Sequence, residues 1–507
     1  MADLERAIDR IVRALDAREK VAVFGDYDVD GVTSAAILVL MLRALGLDVV
    51  ARMAKRASGY GFSPGDAAAL IEAGCSMILT GDCGTSDHEA LAFCRGHGVD
   101  VIVIDHHQVP SGATQAFALL NSHRDDDAFC FKGLASCGVA FYVAAAVRTR
   151  LRQDGHAKAD KLDPRALLDL VALGTIADLV PLTDENRILV TAGLRELASG
   201  RRPGIAALAE VAGLPVSALG ATEVSFRLAP RLNAAGRLGD SQTALELLLA
   251  EDVESAKRLA SALDDLNRRR QRIQEEIWQE AIADAQEQAN AAALVVGADG
   301  WHQGVVGVVA AKLVERYRKP AVVVGFDAGN GRGSARTFGG LDLYRALSRC
   351  REHLSSFGGH TMAAGVSLLR SNWLHFREAF VQVAHEHFTS VPAQEMVEAD
   401  AVARLAELDV TQAEELARLA PFGNANGEPL IVVPGVVARS TRVVGTSHLQ
   451  LTLADGDVVS EAIAFGMGDR DPGRGVCLDV IGTAEVDEFR GQRRLRLRLR
   501  HLIRSRP

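Results

Sequence analysis

Three aspartates stand at alternate positions in VAVFGDYDVDGVTS, which spans residues 21–34. Asp26, Asp28 and Asp30 follow an apolar run, and a glycine comes directly after them. A single Asp before Gly is usually a turn residue. Three like charges at this spacing, however, repel one another unless something positive lies between them. The stretch therefore predicts a bound metal ion.

Further carboxylates and two imidazoles follow along the chain. ILTGDCGTSD offers Asp82, VIVIDHHQVP offers Asp105, His106 and His107, and LGTIADLVPL offers Asp178. Carboxylates with one or two imidazoles suit Mn²⁺ or Mg²⁺. Two such ions, bridged by one aspartate, would generate hydroxide from water and stabilise charge on phosphoryl oxygens. We predict His106 as a ligand, His107 as a contact to substrate or water, and Asp105 as the group that orients an imidazole.

The elements that must position these residues alternate between strands and helices. KVAVF, SMILTGD and VDVIVID have the pattern of buried strands, and helical stretches separate them. This order predicts a parallel sheet, and ligands of such sheets bind at the carboxyl ends of the strands. Asp28, Asp30, Asp82 and Asp105 all fall at or just after strand ends.

We predict that residues 1–238 form a catalytic α/β domain. Three further segments are predicted after it. Residues 239–290 have helical periodicity, and neither Gly nor Pro occurs in them after Gly239. This pattern predicts a connecting helix or two helices, or alternatively the edge of a bundle. A second α/β domain is predicted for residues 291–394. Short strands with turn signals then predict a small β-barrel, with an OB-like fold as a candidate, at residues 395–507.

Composition narrows the class of protein. The chain has 507 residues, a formal net charge of -9, and seven cysteines without a CxxC pair. The acidic balance argues against bulk polyanion binding, although local basic patches remain possible. The cysteines fit a reducing cytosol and no thiolate zinc site. With no signal peptide and no apolar run of membrane-spanning length, we expect a cytoplasmic protein without membrane contact, and a monomer.

The C-terminal RGQRRLRLRLRHLIRSRP contains eight arginines in eighteen residues. Arg494, Arg496, Arg498 and Arg500 alternate with leucines, so they should line one face of a strand. A phosphate backbone is a natural partner for such a face. The alternative is an edge strand that charge protects from aggregation.

In their order along the chain, GDYDVDGVTS, GDCGTSD, DHH and GTIADLVPL resemble the four motifs of the DHH phosphoesterase superfamily. Within it, the chain resembles the RecJ family of bacterial single-stranded-DNA-specific exonucleases. APRLNAAGRLGD, GWHQGVVGVVAAKL, GRGSART and FGGHTMAAG add to this resemblance, and PFGNANGEP is similar to the start of the family's C-terminal barrel. The match spans nearly the whole chain.

The resemblance implies roles for individual residues. The positions that bind two divalent ions, Mn²⁺ or Mg²⁺, with Asp82 as the bridge, are Asp28, Asp30, Asp82, His106 and Asp178. His107 falls on the position that contacts the scissile phosphate. The residues implied in substrate binding are Arg231, Asn233, Arg237, Ser334, Arg336, Gly358, Gly359 and His360. Some relatives have a further His ligand where this chain has Phe24, and Asp26 is the candidate to replace it.

The resemblance also implies an activity. The family degrades single-stranded DNA from the 5′ end and releases 5′-mononucleotides, in DNA repair and recombination. A single-stranded-DNA-binding protein and a RecQ-type helicase are the expected partners. About twenty residues precede the first strand, fewer than is common in the family, so a short form or a truncated chain is expected.

Two other functions stay open at this point. One is a hydrolase with the same metal site that acts on short oligonucleotides, cyclic dinucleotides or polyphosphate; the C-terminal barrel and its arginines argue against it. The other is a non-catalytic DNA-binding protein, against which the intact metal motifs argue.

Overall fold

The computed structural model of the chain describes residues 1–56, 61–110, 112, 114–390, 397–445, 447–489 and 491–505. The chain divides into two compact units. The first comprises Met1–Asp178 and Ala192–Glu395, and the second comprises Leu179–Thr191 and Met396–Pro507. The predicted boundary at residues 394 and 395 lies outside the described residues. Within the described part of the chain, none of the helices has both the length and the apolar character needed to cross a bilayer.

The first unit contains a five-stranded parallel sheet in the order β2-β1-β3-β4-β5, as predicted from the alternating pattern. Its strands are β1 (Lys20–Gly25), β2 (Asp48–Met53), β3 (Met77–Gly81), β4 (Asp100–Ile104) and β5 (Ala118–Leu120). The accompanying helices are α1 (Leu4–Ala17), α2 (Val29–Ala44), α3 (Pro64–Glu72), α4 (His88–Gly96) and α5 (Ser136–Gln153). The interior strands are near-continuous runs of buried apolar residues, which is typical of a parallel sheet that is covered on both faces.

A helical segment follows this sheet. Its helices are α6 (Leu168–Ala177), α7 (Asp184–Ala198), α8 (Pro203–Val211), α9 (Ala221–Glu223) and α10 (Ala229–Leu238), with a π-helical turn at Val224–Leu228. α6 packs closely on α2 at Gly174, where a Cβ atom would lie only 2.3 Å from Thr33 Oγ1. This close approach brings the carboxyl end of α6, and Asp178 with it, to the start of α2.

The connecting segment consists of two helices, α11 (Gln242–Leu249) and α12 (Val253–Glu287). They separate where Asp252 caps α12 by accepting a hydrogen bond from the Ser255 amide at 2.7 Å.

The second sheet of this unit is mixed, in the order β6-β7-β8-β10-β9, and only β6 and β7 are parallel. Its strands are β6 (Leu294–Asp299), β7 (Ala321–Asp327), β8 (Asn330–Arg336), β9 (Ser356–Gly359) and β10 (Ala363–Leu369). Its helices are α13 (Val306–Tyr317), α14 (Leu343–Arg349) and α15 (Trp373–Ser390). α13 packs on one face and α14 with α15 on the other, each over its own apolar cluster.

The second unit contains a closed five-stranded barrel, as the short strands predicted. Strands β12, β13, β14, β16 and β15 pair in that order, and β12 pairs with β15 to close the ring. The elements are β11 (Ala401–Val402), α16 (Val410–Ala417), β12 (Ile431–Val444), β13 (His448–Asp455), β14 (Val458–Ala464), β15 (Cys477–Phe489) and β16 (Gln492–Arg504). The arginine-rich β16 lies between β14 and β15, so the alternative that it is an edge strand is wrong.

Candidate metal centre

The structure brings seven predicted residues together at the carboxyl edge of the first sheet. They form three overlapping sets, and within each set the possible ligand atoms lie within 4.8 Å of one another. The sets are Asp82 with His106 and His107, Asp30 with His106 and Asp178, and Asp26 with Asp28 and Asp82. Asp82 and His106 each belong to two sets. This overlap is the arrangement that a centre with shared ligands requires.

Local backbone structure holds three of the carboxylates in place. Asp28 caps α2, because its Oδ1 accepts the Gly31 amide at 3.0 Å. Asp82 follows β3 with φ of 66°, a left-handed conformation that Asp tolerates better than most residues. Asp178 is the C-cap residue of α6. Each carboxylate therefore lies at the end of an element whose position the core determines.

Two residues that the sequence did not single out hold Asp30 and Asp82. The first amides of α5 donate to both Asp30 oxygens, Ser136 N at 2.7 Å and Cys137 N at 2.9 Å. The Ser136 hydroxyl donates to Asp82 Oδ1 at 2.9 Å. A helix N-terminus favours such an anion through its free amides and its dipole. The sequence signal for this support is weak: the small residues ASCG stand directly before a helical pattern.

Asp105 orients His107. Its Oδ1 accepts from the ring Nδ1 of His107 at 2.8 Å and from the amides of His106 and His107 at 2.8 and 3.1 Å. Its Oδ2 accepts from the Thr85 amide at 3.2 Å. The ring contact orients the imidazole of His107, and the amide contacts hold the Asp105 carboxylate in place. Asp105 itself belongs to none of the three ligand sets.

Burial and mutual repulsion raise the pKa values of Asp26, Asp82 and Asp178. Burial and then the Asp28 charge raise the pKa of Asp26 to about 8. Burial and the charges of Asp30 and Asp28 raise the pKa of Asp178 to about 9. The pKa of Asp82 also lies well above its usual range, because it is buried among other carboxylates. The fold thus pays an electrostatic cost at this centre without any ligand.

The two histidines and the remaining carboxyls respond differently to burial. Burial lowers the pKa of His106, although Asp30 opposes the shift. For His107, burial is outweighed by the hydrogen bond and charge of Asp105, and its pKa rises to about 9. Burial also raises the pKa of Asp30. The pKa of Asp105 is lowered despite its burial, because His107 and backbone amides stabilise its charge.

Two buried atoms show that the centre fits a cation. Among the described residues, Asp26 Oδ1 and His106 Nε2 have no hydrogen-bond partner. His106 Nε2 lies 3.4 Å from both Asp82 Oδ1 and Asp178 Oδ2, and 3.9 Å from Asp30 Oδ2. Buried polar atoms without partners are rare in native proteins. Carboxylate oxygens around an imidazole nitrogen form a donor set that suits Mn²⁺ or Mg²⁺.

Phe24 does not contribute to the centre. Its side chain is fully buried, and its ring packs 4.9 Å from that of Phe62. Asp26, two residues later, is the carboxylate that reaches the cluster. Its role as a ligand stays a prediction.

An arginine cluster adjoins the carboxylates. Burial, together with the charges of three other arginines, lowers the pKa of Arg237 to about 10, and those three are Arg56, Arg270 and Arg336. The charge of Asp28 acts on Arg237 in the opposite direction. The cluster therefore lies close enough to the candidate metal centre to interact with it. Neighbouring guanidinium groups are suited to bind an anion such as phosphate.

Backbone contacts fix two of these arginines. Arg237 donates to the Gly304 carbonyl at 3.0 Å, and Arg56 donates to the Gly236 carbonyl at 3.0 Å. The Arg56 guanidinium also lies 4.2 Å from the ring centroid of Tyr27. Gly236 is required here, because a Cβ atom would lie 2.3 Å from the Tyr27 carbonyl oxygen.

Two other predicted residues of α10 differ from Arg237. Arg231 forms an ion pair with Asp264 of α12 at 2.9 Å and donates to the Arg227 carbonyl, so its contacts are those of a residue that joins two helices. Asn233 lies four residues before Arg237 and therefore on the same helix face. Roles of Arg231 and Asn233 in binding substrate stay predictions.

The predicted residues of the second sheet fall into two groups. Arg336 donates to Ser334 Oγ at 2.8 Å, and burial lowers the pKa of Arg336. Gly358, Gly359 and His360 lie at the exposed β9–β10 hairpin. Gly359 has φ of 136°, and a Cβ atom there would lie 2.4 Å from the Ala363 carbonyl oxygen. Gly359 is therefore required by the hairpin itself.

The predicted arginine face of β16 has acidic partners within its own unit. Arg494 pairs with Asp487 at 3.0 Å, and Arg496 pairs with both Glu485 at 2.7 Å and Asp487 at 2.6 Å. Glu428 pairs with Arg498 and, at 3.3 Å, with Arg500. The arginines therefore do not by themselves identify a DNA-binding surface, and their contact with DNA stays a prediction.

Three family profiles match the chain. The DHH family N-terminal domain matches residues 20–175, the DHHA1 domain matches residues 288–387, and the RecJ OB domain matches residues 399–501. The first match includes all the predicted metal-centre residues except Asp178.

Curated proteins and solved structures also resemble the chain over almost all of its length. It is 36% identical to the single-stranded-DNA-specific exonuclease RecJ of Dickeya dadantii, over 99% of this chain and 90% of that protein. It is 34% identical to the Bacillus subtilis protein of the same name, over 99% of this chain but 63% of that protein. The crystal structure of Thermus thermophilus RecJ in complex with Mn²⁺ matches with a TM-score of 0.86 at 30% identity, over 99% of this chain and 72% of that one.

Proposed function

The chain belongs to the RecJ family, and from this premise we propose that it is a metal-dependent exonuclease that degrades single-stranded DNA from the 5′ end. The observation that carries the proposal is the largely buried carboxylate–histidine cluster beside a group of neighbouring arginines. The first suits divalent cations, and the second suits a phosphate group of the substrate.

We propose a centre for two ions, with Asp82 as the shared ligand. The overlap of the ligand sets at Asp82 and His106 supports this number. The residues that would hold the ions are Asp26, Asp28, Asp30, Asp82, His106 and Asp178. When bound, Mn²⁺ or Mg²⁺ supplies Lewis acidity that activates a water nucleophile and stabilises charge on phosphoryl oxygens.

The chain's own residues orient the reacting groups. The α5 amides hold Asp30, Ser136 holds Asp82, and Asp105 holds the Nδ1 side of His107. We propose that the imidazole of His107 contacts the scissile phosphate. Attack of water on phosphorus breaks the P–O3′ bond. The first nucleotide leaves with its own 5′-phosphate and a 3′-hydroxyl, and the remaining strand keeps a new 5′-phosphate.

The arginine cluster supports the proposed polarity. Arg237 and Arg336 are partly buried, and Arg336 donates a hydrogen bond to Ser334 Oγ. A group of neighbouring guanidinium ions favours the doubly charged phosphate of a strand end over the single charge of an internal phosphodiester. We propose that this cluster binds the 5′-terminal phosphate. Residues 1–238 would then carry catalysis, and residues 291–394 would grip the DNA.

The test uses a single-stranded oligonucleotide labelled at its 5′ end, with Mn²⁺ or with EDTA. Immediate, metal-dependent release of labelled mononucleotide is the expected result. A ladder of shortening labelled products would reverse the polarity, and absence of cleavage would overturn the activity. Substitution Arg336→Ala should reduce the preference for 5′-phosphorylated over 5′-hydroxyl substrate, while Arg349→Ala on α14 serves as the control.

We further propose the cellular context that the family implies: DNA repair and recombination in the cytoplasm, with a single-stranded-DNA-binding protein and a RecQ-type helicase as partners. Stimulation of cleavage on DNA coated with purified single-stranded-DNA-binding protein tests the first partner. Equal cleavage rates on DNA coated with this protein and on DNA coated with an unrelated protein would contradict the proposed partnership.

A further inference from the structure

The second unit contains a pocket of its own, beside the helix that precedes the barrel. α16 packs on β15 and β16, and a cavity of about 370 Å³ remains between the helix and these two strands. The loop that follows α16 lines one side of the cavity through Phe422, Glu428 and Pro429. The volume is in the range of ordinary ligand sites.

Apolar residues line most of this pocket, and three of them are alanines. Ala413 and Ala417 come from α16, and Ala484 comes from β15. Larger side chains at these positions would occupy the space, so the pocket exists because the alanines are small. The other apolar lining residues are Leu416, Phe422, Pro429 and Val486.

A buried hydroxyl without a partner also lines the pocket. Thr483 of β15 is only 5% exposed, and its Oγ1 has no hydrogen-bond partner among the described residues. Arg498 lies opposite Thr483 in the register of β15 and β16, but it makes ion pairs with Glu428 and Glu485 instead. Native proteins rarely leave a buried polar atom unpaired, so this hydroxyl indicates a group from outside the chain that completes its hydrogen bonding.

The charged residues of the pocket neutralise one another. Arg493 pairs with Glu414, and Arg498 pairs with Glu428 and Glu485. Within the described part of the chain, these five are the charged residues that line the pocket, so both guanidinium groups already have carboxylate partners. A ligand with a phosphate or a carboxylate would meet three carboxylates at this wall, and like charges oppose binding. The pocket therefore suits an uncharged group.

An aromatic side chain with one polar group fits this combination. Tyrosine and tryptophan bury a large apolar ring and keep one O–H or N–H group, which Thr483 Oγ1 can accept. Apolar surface continues outside the pocket at Leu419, which is 45% exposed and whose amide donates to the Leu416 carbonyl at 3.0 Å. Residues on either side of the ring can cover this surface, which favours a protein segment over a free small molecule. Buried aromatic anchors with a polar rim dominate the binding energy of many protein interfaces.

We infer that this pocket binds a tyrosine or tryptophan side chain of a partner protein, whose O–H or N–H group donates a hydrogen bond to Thr483 Oγ1. The partner segment carries no carboxylate or phosphate beside the ring, because the carboxylates of the pocket wall would repel it. The inference concerns the second unit alone. It goes beyond the proposed nuclease activity and does not depend on it.

The first test fills the pocket. Uncharged analogues of the two side chains, N-acetyltryptophanamide and N-acetyltyrosinamide, are titrated into the full chain, and saturation-transfer NMR measures their binding. Substitution Ala417→Trp, at the exposed end of α16, should abolish the transfer. Substitution Ala17→Trp, at the exposed end of α1, is the matched control and should bind the probes as the wild type does. Absence of transfer in the wild type, or equal transfer in Ala417→Trp, would overturn the inference.

The second test removes the hydroxyl and keeps the shape of the side chain. Because Thr483 Oγ1 has no partner among the described residues, Thr483→Val should not lower the Tm. Its affinity for the probes should fall by about fivefold, the effect of one hydrogen bond. A lower Tm with unchanged affinity would show that the hydroxyl serves the fold and would overturn the inference.

Competition distinguishes the class of ligand. N-acetyltryptophan, which has a carboxylate in place of the amide, should bind more weakly than N-acetyltryptophanamide, and deoxyadenosine monophosphate should not displace the uncharged probe. Tighter binding of the carboxylate form, or displacement by the nucleotide, would overturn the assignment to an uncharged protein segment. Cleavage of bare single-stranded DNA should be equal in the wild type, Ala417→Trp and Ala17→Trp. Failure of all three to cleave DNA would overturn the proposed function and leave the probe binding as the test of this pocket.

Discussion

The two unusual concentrations of charge in this molecule are built in opposite ways. At the edge of the first sheet, Asp26, Asp30 and Asp82 are buried together, and repulsion with burial raises their pKa values. On the barrel, the arginines of β16 form ion pairs with acidic residues of β15 and with Glu428. The first group consists of like charges that are buried beside one another, whereas arginines of the second group pair with carboxylates of their own unit.

This difference shows how a charge cluster should be interpreted. Charges that pair within the fold need no further partner, and exposed pairs contribute little to stability. Buried like charges destabilise the fold unless an ion from outside neutralises them. The carboxylate cluster therefore indicates a ligand, while the arginine ladder of β16 is explained by the barrel itself. Breaking each cluster in turn tests this comparison.

The largest effect is expected from Asp82→Asn, because Asp82 belongs to two ligand sets. Cleavage of single-stranded DNA should fall by about 10³-fold, as when a main source of transition-state charge stabilisation is removed. Initial rates with saturating Mn²⁺ measure it. Substitution Asp16→Asn, at an exposed position of α1, is the control. Cleavage within a few-fold of the wild type would break the assignment of the centre.

Metal removal should lower thermal stability, because the ions offset repulsion between buried carboxylates. Binding at one hundred times the Kd contributes about 2.7 kcal/mol. Tm of the wild type, measured by differential scanning fluorimetry, should rise by roughly 5 °C when Mn²⁺ replaces EDTA. For Asp82→Asn, the Tm in EDTA should exceed that of the wild type, and the rise with Mn²⁺ should be lost. An equal rise in both proteins would place the binding elsewhere.

Substitution Asp105→Asn should reduce cleavage by about 10- to 100-fold, because Asp105 positions His107 without reaching the ligand sets. The loss should appear in kcat, with Mn²⁺ affinity nearly unchanged, and steady-state kinetics at several Mn²⁺ concentrations separate the two. A shift in the Mn²⁺ requirement instead of kcat would mean that Asp105 acts as a ligand.

The smallest effect is expected from Arg496→Ala on the barrel. Its ion pairs are partly exposed, so their loss should cost about 1 kcal/mol or less in stability. Affinity for single-stranded DNA should change less than twofold, against a clear loss for Arg336→Ala. A loss for Arg496→Ala as large as that for Arg336→Ala would show that the barrel arginines exchange their acidic partners for phosphate.

The sequence predicted the parts of the centre that follow from strand order. Asp28, Asp82 and His106 come at or just after strand ends, and a parallel sheet gathers such ends at one edge. The assignment of Asp178 depended most on the resemblance, because Asp178 reaches the centre through the close packing of α6 on α2 at Gly174. That contact depends on tertiary structure, which no local pattern reveals.

The hydrogen bonds from backbone amides to the carboxylates could not be predicted from the sequence. The amides of Ser136 and Cys137 hold Asp30, and an amide has no side-chain signature. The neutralisation of β16 was missed for a related reason. The alternation of its arginines was correctly predicted, but their partners Glu428 and Glu485 are set by strand register and by a distant loop.

The most direct test of the central claim counts Mn²⁺ ions bound to the metal-free protein by electron paramagnetic resonance. The carboxylate–histidine cluster predicts two ions per chain for the wild type and for Arg496→Ala, and loss of at least one for Asp82→Asn. Binding of no ion by the wild type, or the same number in Asp82→Asn, would contradict the account.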